Sequence, residues 1–181
     1  MDLVDLITEK RFLGQEFLTW LWWKSEEHGG TVQVGGQYLT VVFEKHMLLE
    51  YGEAEYSERL VCSGLQTELR EARTGLRTGK KLEQARIQII KDDYEYNLTL
   101  GATFFEYRNV RLPKTGGADS SSNPTEEETE GMILERVHLF EELVRIINDL
   151  FRLFLEIRMS PGWQDELSKV RSWVHKAADE V

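Results

Sequence analysis

The stretch LEQARIQIIKDDYEYNLTLG, residues 82–101, switches the side-chain period of this chain to two. Ala85, Ile87 and Ile89 alternate with polar neighbours, and Tyr96, Leu98 and Leu100 do the same after Lys91-Asp92-Asp93. Such alternation places one set of side chains on one face of a strand. The short acidic break between the two runs is the turn of a hairpin. An antiparallel sheet with one buried face is therefore the centre of the expected fold.

Upstream, TVQVGGQYLTVVFEKHMLLEYGEAEYSERLVCSG carries β-branched and aromatic runs parted by Gly-Gly, Glu-Lys-His and Gly-Glu-Ala. The pattern predicts strands near 31–34, 37–43, 46–51 and 56–62. TELREARTGLRTG then predicts a short helix ended by a glycine. Downstream, TFFEYRNVRLP adds a strand that Pro113 stops.

Helices flank the sheet. Leu6, Leu13, Phe17, Trp20, Leu21 and Lys24 recur at three and four, which predicts a helix over 3–26. Phe12, Leu18, Trp22 and Trp23 widen its apolar surface beyond one stripe. Such a helix is either sandwiched between the sheet and a second helix or offers an aromatic patch to another chain. Each residue turns a helix by ~100°, so Trp20, Trp22 and Trp23 cannot share one face. Trp20 is expected under the sheet, Trp23 beside the C-terminal helices, and Trp22 is the ring left for a partner. Trp22 and Trp23 are thus the candidate partner interface.

Residues 113–130 are rich in Gly, Ser, Pro and acid, and read as a linker. Beyond it, Ile133, Val137, Phe140, Val144, Ile147, Phe151 and Phe154 form one stripe. Leu139, Leu143, Ile146, Leu150, Leu153 and Ile157 form a second. A double stripe suits a helix buried on two sides or one pairing with a second chain. SPGW opens a last helix, with Ser160 as N-cap and Pro161 at the first position. The expected class is α+β: an N-terminal helix, a mostly antiparallel sheet with a short helix, and a C-terminal helical hairpin. Residues 1–112 form the sheet domain, and 131–181 pack back on it.

The charge is −10, from 22 basic and 32 acidic residues among 181. That argues against DNA as the main partner unless one face is locally basic. Residues 59–91 supply such a region, with eight Lys or Arg against three acids. Arg70, Arg73 and Arg77 share a helix face at spacings of three and four, and Lys80, Lys81 and Arg86 continue it. This face tracks phosphates without reading bases, or else pairs with the protein's own acids.

The lone cysteine, Cys62, excludes an intramolecular disulfide and suits a reducing cytoplasm. It is expected in the core of a strand. The four histidines are scattered, and no phosphate loop, nucleophile elbow or paired-His helix occurs. The reading is therefore of a protein that is not an enzyme, with no catalytic residue, metal or cofactor. No run approaches the ~20 apolar residues of a membrane helix.

The pieces LTWLWWKSEEHGG, LRTGKKLEQARIQIIKDDYEYNLTL and LFEELVRIINDLFRLFLEIR stand in an order that resembles the C-terminal half of the bacterial recombination-associated protein RdgC family. The resemblance spans most of residues 17–158. It implies a non-enzymatic ring or clamp around duplex DNA, with a basic channel and an acidic exterior. Gly79 and Lys80 match that family's turn, and Arg86 its following strand. After the aspartate turn the family carries a Lys- and Arg-rich strand, whereas this chain has YNLTLGA. The resemblance therefore implies a subunit whose partner, similar to the family's N-terminal half, supplies the rest of a homo- or hetero-oligomer. The alternative is an adaptor that binds protein only, through the Trp-rich and C-terminal helices.

Overall fold

The computed structural model describes residues 11–27, 29–51, 58–63, 67–114 and 126–176. Its elements are α1 (Arg11–Glu27), β1 (Thr31–Val34), β2 (Gln37–Tyr51), β3 (Glu58–Ser63), α2 (Thr67–Arg77), β4 (Lys81–Lys91), β5 (Tyr94–Gly101), β6 (Tyr107–Arg111), α3 (Glu126–Met159) and α4 (Trp163–Lys176). This is the α+β class expected. The predicted helical residues 3–10, and 115–125 of the linker, lie outside the described residues.

The six strands form one antiparallel sheet in the order β1-β2-β4-β5-β6. β3 pairs with the second half of β2, in line with β1 along the same edge. The β4–β5 hairpin carries Ile87 opposite Leu98 and Ala85 opposite Leu100. Its two-residue turn is Asp92-Asp93, with Asp92 at φ +52°, a conformation that Asp tolerates better than most residues. The β1–β2 turn uses Gly35 and Gly36, both at positive φ, as tight hairpins require.

Three boundaries differ from expectation. Glu44-Lys45-His46 is not a turn: β2 runs unbroken from Gln37 to Tyr51, and its register with β4 shifts between Phe43 and Met47. A bulge absorbs the polar triplet without ending the strand. α3 begins at Glu126, so residues 126–130 belong to a helix rather than to the linker. α4 begins at Trp163, and the Asp165 and Glu166 amides bond the Gly162 carbonyl. Ser160 is therefore no N-cap; its hydroxyl donates to the Ile157 carbonyl and closes the end of α3.

One sheet face is buried. Val41, Phe43, Met47, Leu49, Leu82, Ile87, Ile89, Leu98 and Leu100 join Cys62 in a core shared with α1, α3 and α4. The opposite face carries Arg86, Gln88 and Asn97, partly exposed. α1 lies across β4, and the closest approach is marked by Gly14, where an added Cβ would stand 1.9 Å from the Ala102 carbonyl oxygen. Leu18 and Leu21 follow Gly14 on that side of the helix. Phe17 and Trp20 turn instead to α3, where both rings pack on Phe154.

The tryptophan cluster is core throughout, which corrects the assignment of Trp22 and Trp23 to a partner interface. Trp22 is 1% exposed; its ring stacks on Phe43 of β2 and meets Trp173 of α4 edge-on at 4.9 Å. Trp23 is also buried, and its neighbours Trp22 and Lys24 both contact α4, Lys24 through Glu166 at 3.3 Å. Of the two alternatives for the aromatic helix, the sandwich is the observed one. The apolar surface of α1 from Phe17 to Trp23 is covered by the sheet on one side and by α3 and α4 on the others, while Phe12 at its start stays exposed.

Candidate functional site

The six basic residues expected to contact DNA do not form one surface. Arg73 points inward, its guanidinium lying 4.7 Å from the Trp173 ring centroid and 5.8 Å from that of Trp22, and its Nη2 donates to Glu26. The same Glu26 carboxylate accepts the indole N–H of Trp22 at 2.8 Å and of Trp173 at 2.9 Å. This hub ties α1, α2 and α4 together, so Arg73 is a structural cation rather than a phosphate contact. Helical spacing put it on one face with Arg70 and Arg77; what spacing could not show was an acid 47 residues away in sequence.

Lys80 is paired with Glu58 at 2.8 Å, and that hydrogen bond and charge hold the Glu58 carboxyl below its usual range. Arg86 pairs with Glu44 at 2.6 Å. It alternates with Ala85 and Ile87, so it projects from the sheet face opposite the helices. Arg70 is exposed on α2. Arg77 and Lys81 are exposed and, among the described residues, make no ion pair. The basic region is thus divided between two faces, and Arg59, Arg73, Lys80, Arg86 and Lys91 are neutralised by this protein's own acids.

Arg77 and Lys81 border a groove of about 410 Å³ where α1, the end of α2 and α4 meet. Its apolar lining includes Trp20, Trp163, Leu76 and Val170. Sequence reasoning found neither this groove nor a third exposed cation that lines it, Arg171 of α4, which makes no ion pair among the described residues. The signal was present in the four-residue spacing of Leu167, Arg171 and His175 on one face of α4, but which face meets α1 depends on the packing. A second hollow of about 340 Å³ lies near Glu50 and Glu106, whose carboxylates are paired with Arg59 and Arg108.

One ionisable cluster joins α3 to the hairpin. Lys91 pairs with Glu142 at 2.5 Å, and Tyr96 donates to the same carboxylate at 3.3 Å. The Lys91 hydrogen bond holds the Glu142 carboxyl below its ordinary value, while burial first, and then Glu142, push the Tyr96 phenol up to about 12. These groups satisfy one another at a half-buried seam between α3 and the hairpin. Among the described residues, no three His, Cys, Asp or Glu side chains gather as metal ligands would. His46, His138 and His175 are exposed, and His28 lies outside the described residues.

Several of the exposed large apolar side chains among the described residues lie on α3. This 34-residue helix is about 51 Å long at ~1.5 Å per residue. Among the described residues, its later part packs on the body, through Leu139, Leu143, Ile146, Ile147, Leu150 and Phe154. Every residue from Gly131 to His138 is exposed, including Ile133 at 57% and Leu134 at 69%. Met132, Val137 and Phe140 extend that surface. No helix among the described residues is long and apolar enough to cross a membrane.

No family model matches the chain, and neither a curated protein nor a solved structure matches it.

Proposed function

We propose that this chain is a structural, non-catalytic subunit of a DNA-associated assembly of the RdgC-like kind, held to another protein chain through the projecting part of α3. The observation that carries the reading is the exposure of Ile133, Leu134 and Val137 on a helix whose later turns bury Leu143, Ile147, Leu150 and Phe154. An isolated helix end in water has little reason to be so apolar, and packing against a second helix buries such a stripe. The partner is a protein chain with a complementary apolar groove or helix. The measurement is the mass of the native assembly with and without Ile133→Asp, Val137→Asp.

Direct DNA contact is the second reading, favoured by Arg77 and Lys81, which are exposed and make no ion pair among the described residues. It is a small footprint. Each phosphate contact adds about −0.9 to the slope of log affinity against log salt. Arg77→Ala, Lys81→Ala is therefore expected to weaken duplex binding independently of sequence and to flatten the slope by about 2. A duplex affinity unaffected by the pair would leave assembly through protein alone.

A further inference from the structure

We propose that the groove between α1, α2 and α4 binds a small anionic amphiphile, with its acid group at Arg77, Lys81 and Arg171 and its apolar body against Trp20 and Trp163. The volume, about 410 Å³, lies within the ~300–1,000 Å³ of typical small-ligand sites. It is small for a folded partner element and ample for a medium-chain or aryl acid.

The charge pattern specifies the acid. On a chain of net −10, Arg77, Lys81 and Arg171 are three exposed cations that have no ion-pair partner among the described residues, and all three line this groove. Among the described residues its one lining carboxylate, Glu16, is neutralised by Arg158 at 2.6 Å. An anion entering the groove thus meets cations with no unpaired carboxylate among the described lining residues. Low-dielectric apolar walls strengthen that attraction relative to open surface.

The apolar half is equally defined. Trp20 lines the groove and is 1% exposed, and its Nε1–H is buried with no acceptor among the described residues. Trp163 stands against Phe154 edge-on, and the Arg158 guanidinium lies between the Trp163 and Phe12 rings, 5.8 and 5.6 Å from their centroids. These contacts hold the aromatic wall in place before any ligand arrives, which lowers the ordering cost of binding.

Octanoate and octan-1-ol titrated into the full ¹⁵N-labelled chain test the proposal, with the indole N–H signals of Trp20 and Trp163 as reporters. Octanoate is expected to shift both saturably, and octan-1-ol to bind at least tenfold more weakly. Arg77→Ala, Lys81→Ala, Arg171→Ala should weaken octanoate at least tenfold and leave octan-1-ol unchanged, whereas Arg77→Lys, Lys81→Arg, Arg171→Lys should retain octanoate binding. All three positions are exposed, so the variants keep the core intact, and thermal melting verifies it. No saturable shift, equal affinity for acid and alcohol, or octanoate binding indifferent to the loss of the three cations would overturn it.

Discussion

Trp22 shows how much one ring can hold together. It reaches the sheet at Phe43, α4 at Trp173 and, through its N–H, the Glu26 carboxylate that also binds Arg73. Replacing a core aromatic by Ala costs about 3–5 kcal/mol, against a total stability of ~5–15 kcal/mol for a domain. Trp22→Ala and Trp20→Ala are therefore expected to lower the melting temperature to a similar, severe extent. Trp22→Ala within about 0.5 kcal/mol of wild type, the range of plain surface substitutions, would contradict its place in the core. The sequence shows that three neighbouring tryptophans must face three ways. It does not show which way the sheet lies. The stripe Leu13, Phe17 and Trp20 suggests the sheet side, yet that side is set by Gly14, the position where a backbone carbonyl approaches too closely for any side chain.

At the scale of elements, the Lys91–Glu142–Tyr96 cluster fastens α3 to the hairpin. Glu142 is held below its ordinary value near 4.5 in the folded chain. A depressed carboxyl favours the folded state while ionised, so its contribution is full above the unfolded value and fades as pH falls through the folded one. Glu142→Gln should thus melt below wild type at neutral pH, with a gap that closes as pH drops beneath about 4.5. A gap constant down to strongly acidic pH would show that the charge does not matter.

Elements with strong local signals were legible from residue patterns alone. The Asp92-Asp93 hairpin, the Gly35-Gly36 turn and the helix ended near Gly79 all follow from period and turn chemistry. What local pattern cannot encode is the partner of a charge. Arg73, Lys80 and Arg86 read as one basic run, but Glu26, Glu58 and Glu44 come to them from other elements. The bulge in β2 was hidden for a similar reason: Glu44-Lys45-His46 has the composition of a turn, while Phe43 before it and Met47 after it both pair with β4 and keep the strand continuous. The groove is a property of packing, assembled from three helices distant in sequence.

At the scale of the whole molecule, the chain divides its apolar surface into two kinds. The aromatic helix, expected to keep a ring for a partner, buries all three of its tryptophans in the chain's own core. Along the double-striped helix the later turns are buried, whereas Gly131 to His138 are exposed among the described residues. The central claim is that those exposed turns join this chain to another. It is tested most directly by isolating tagged full chain gently from its own cells and measuring the mass of the native species by light scattering. Wild type is expected to exceed the 21.1 kDa of a single chain by the mass of a second protein chain, and Ile133→Asp, Val137→Asp to run at the single-chain mass with an unchanged melting temperature. Wild type at the single-chain mass, or a double variant that keeps the full complex, would contradict the account.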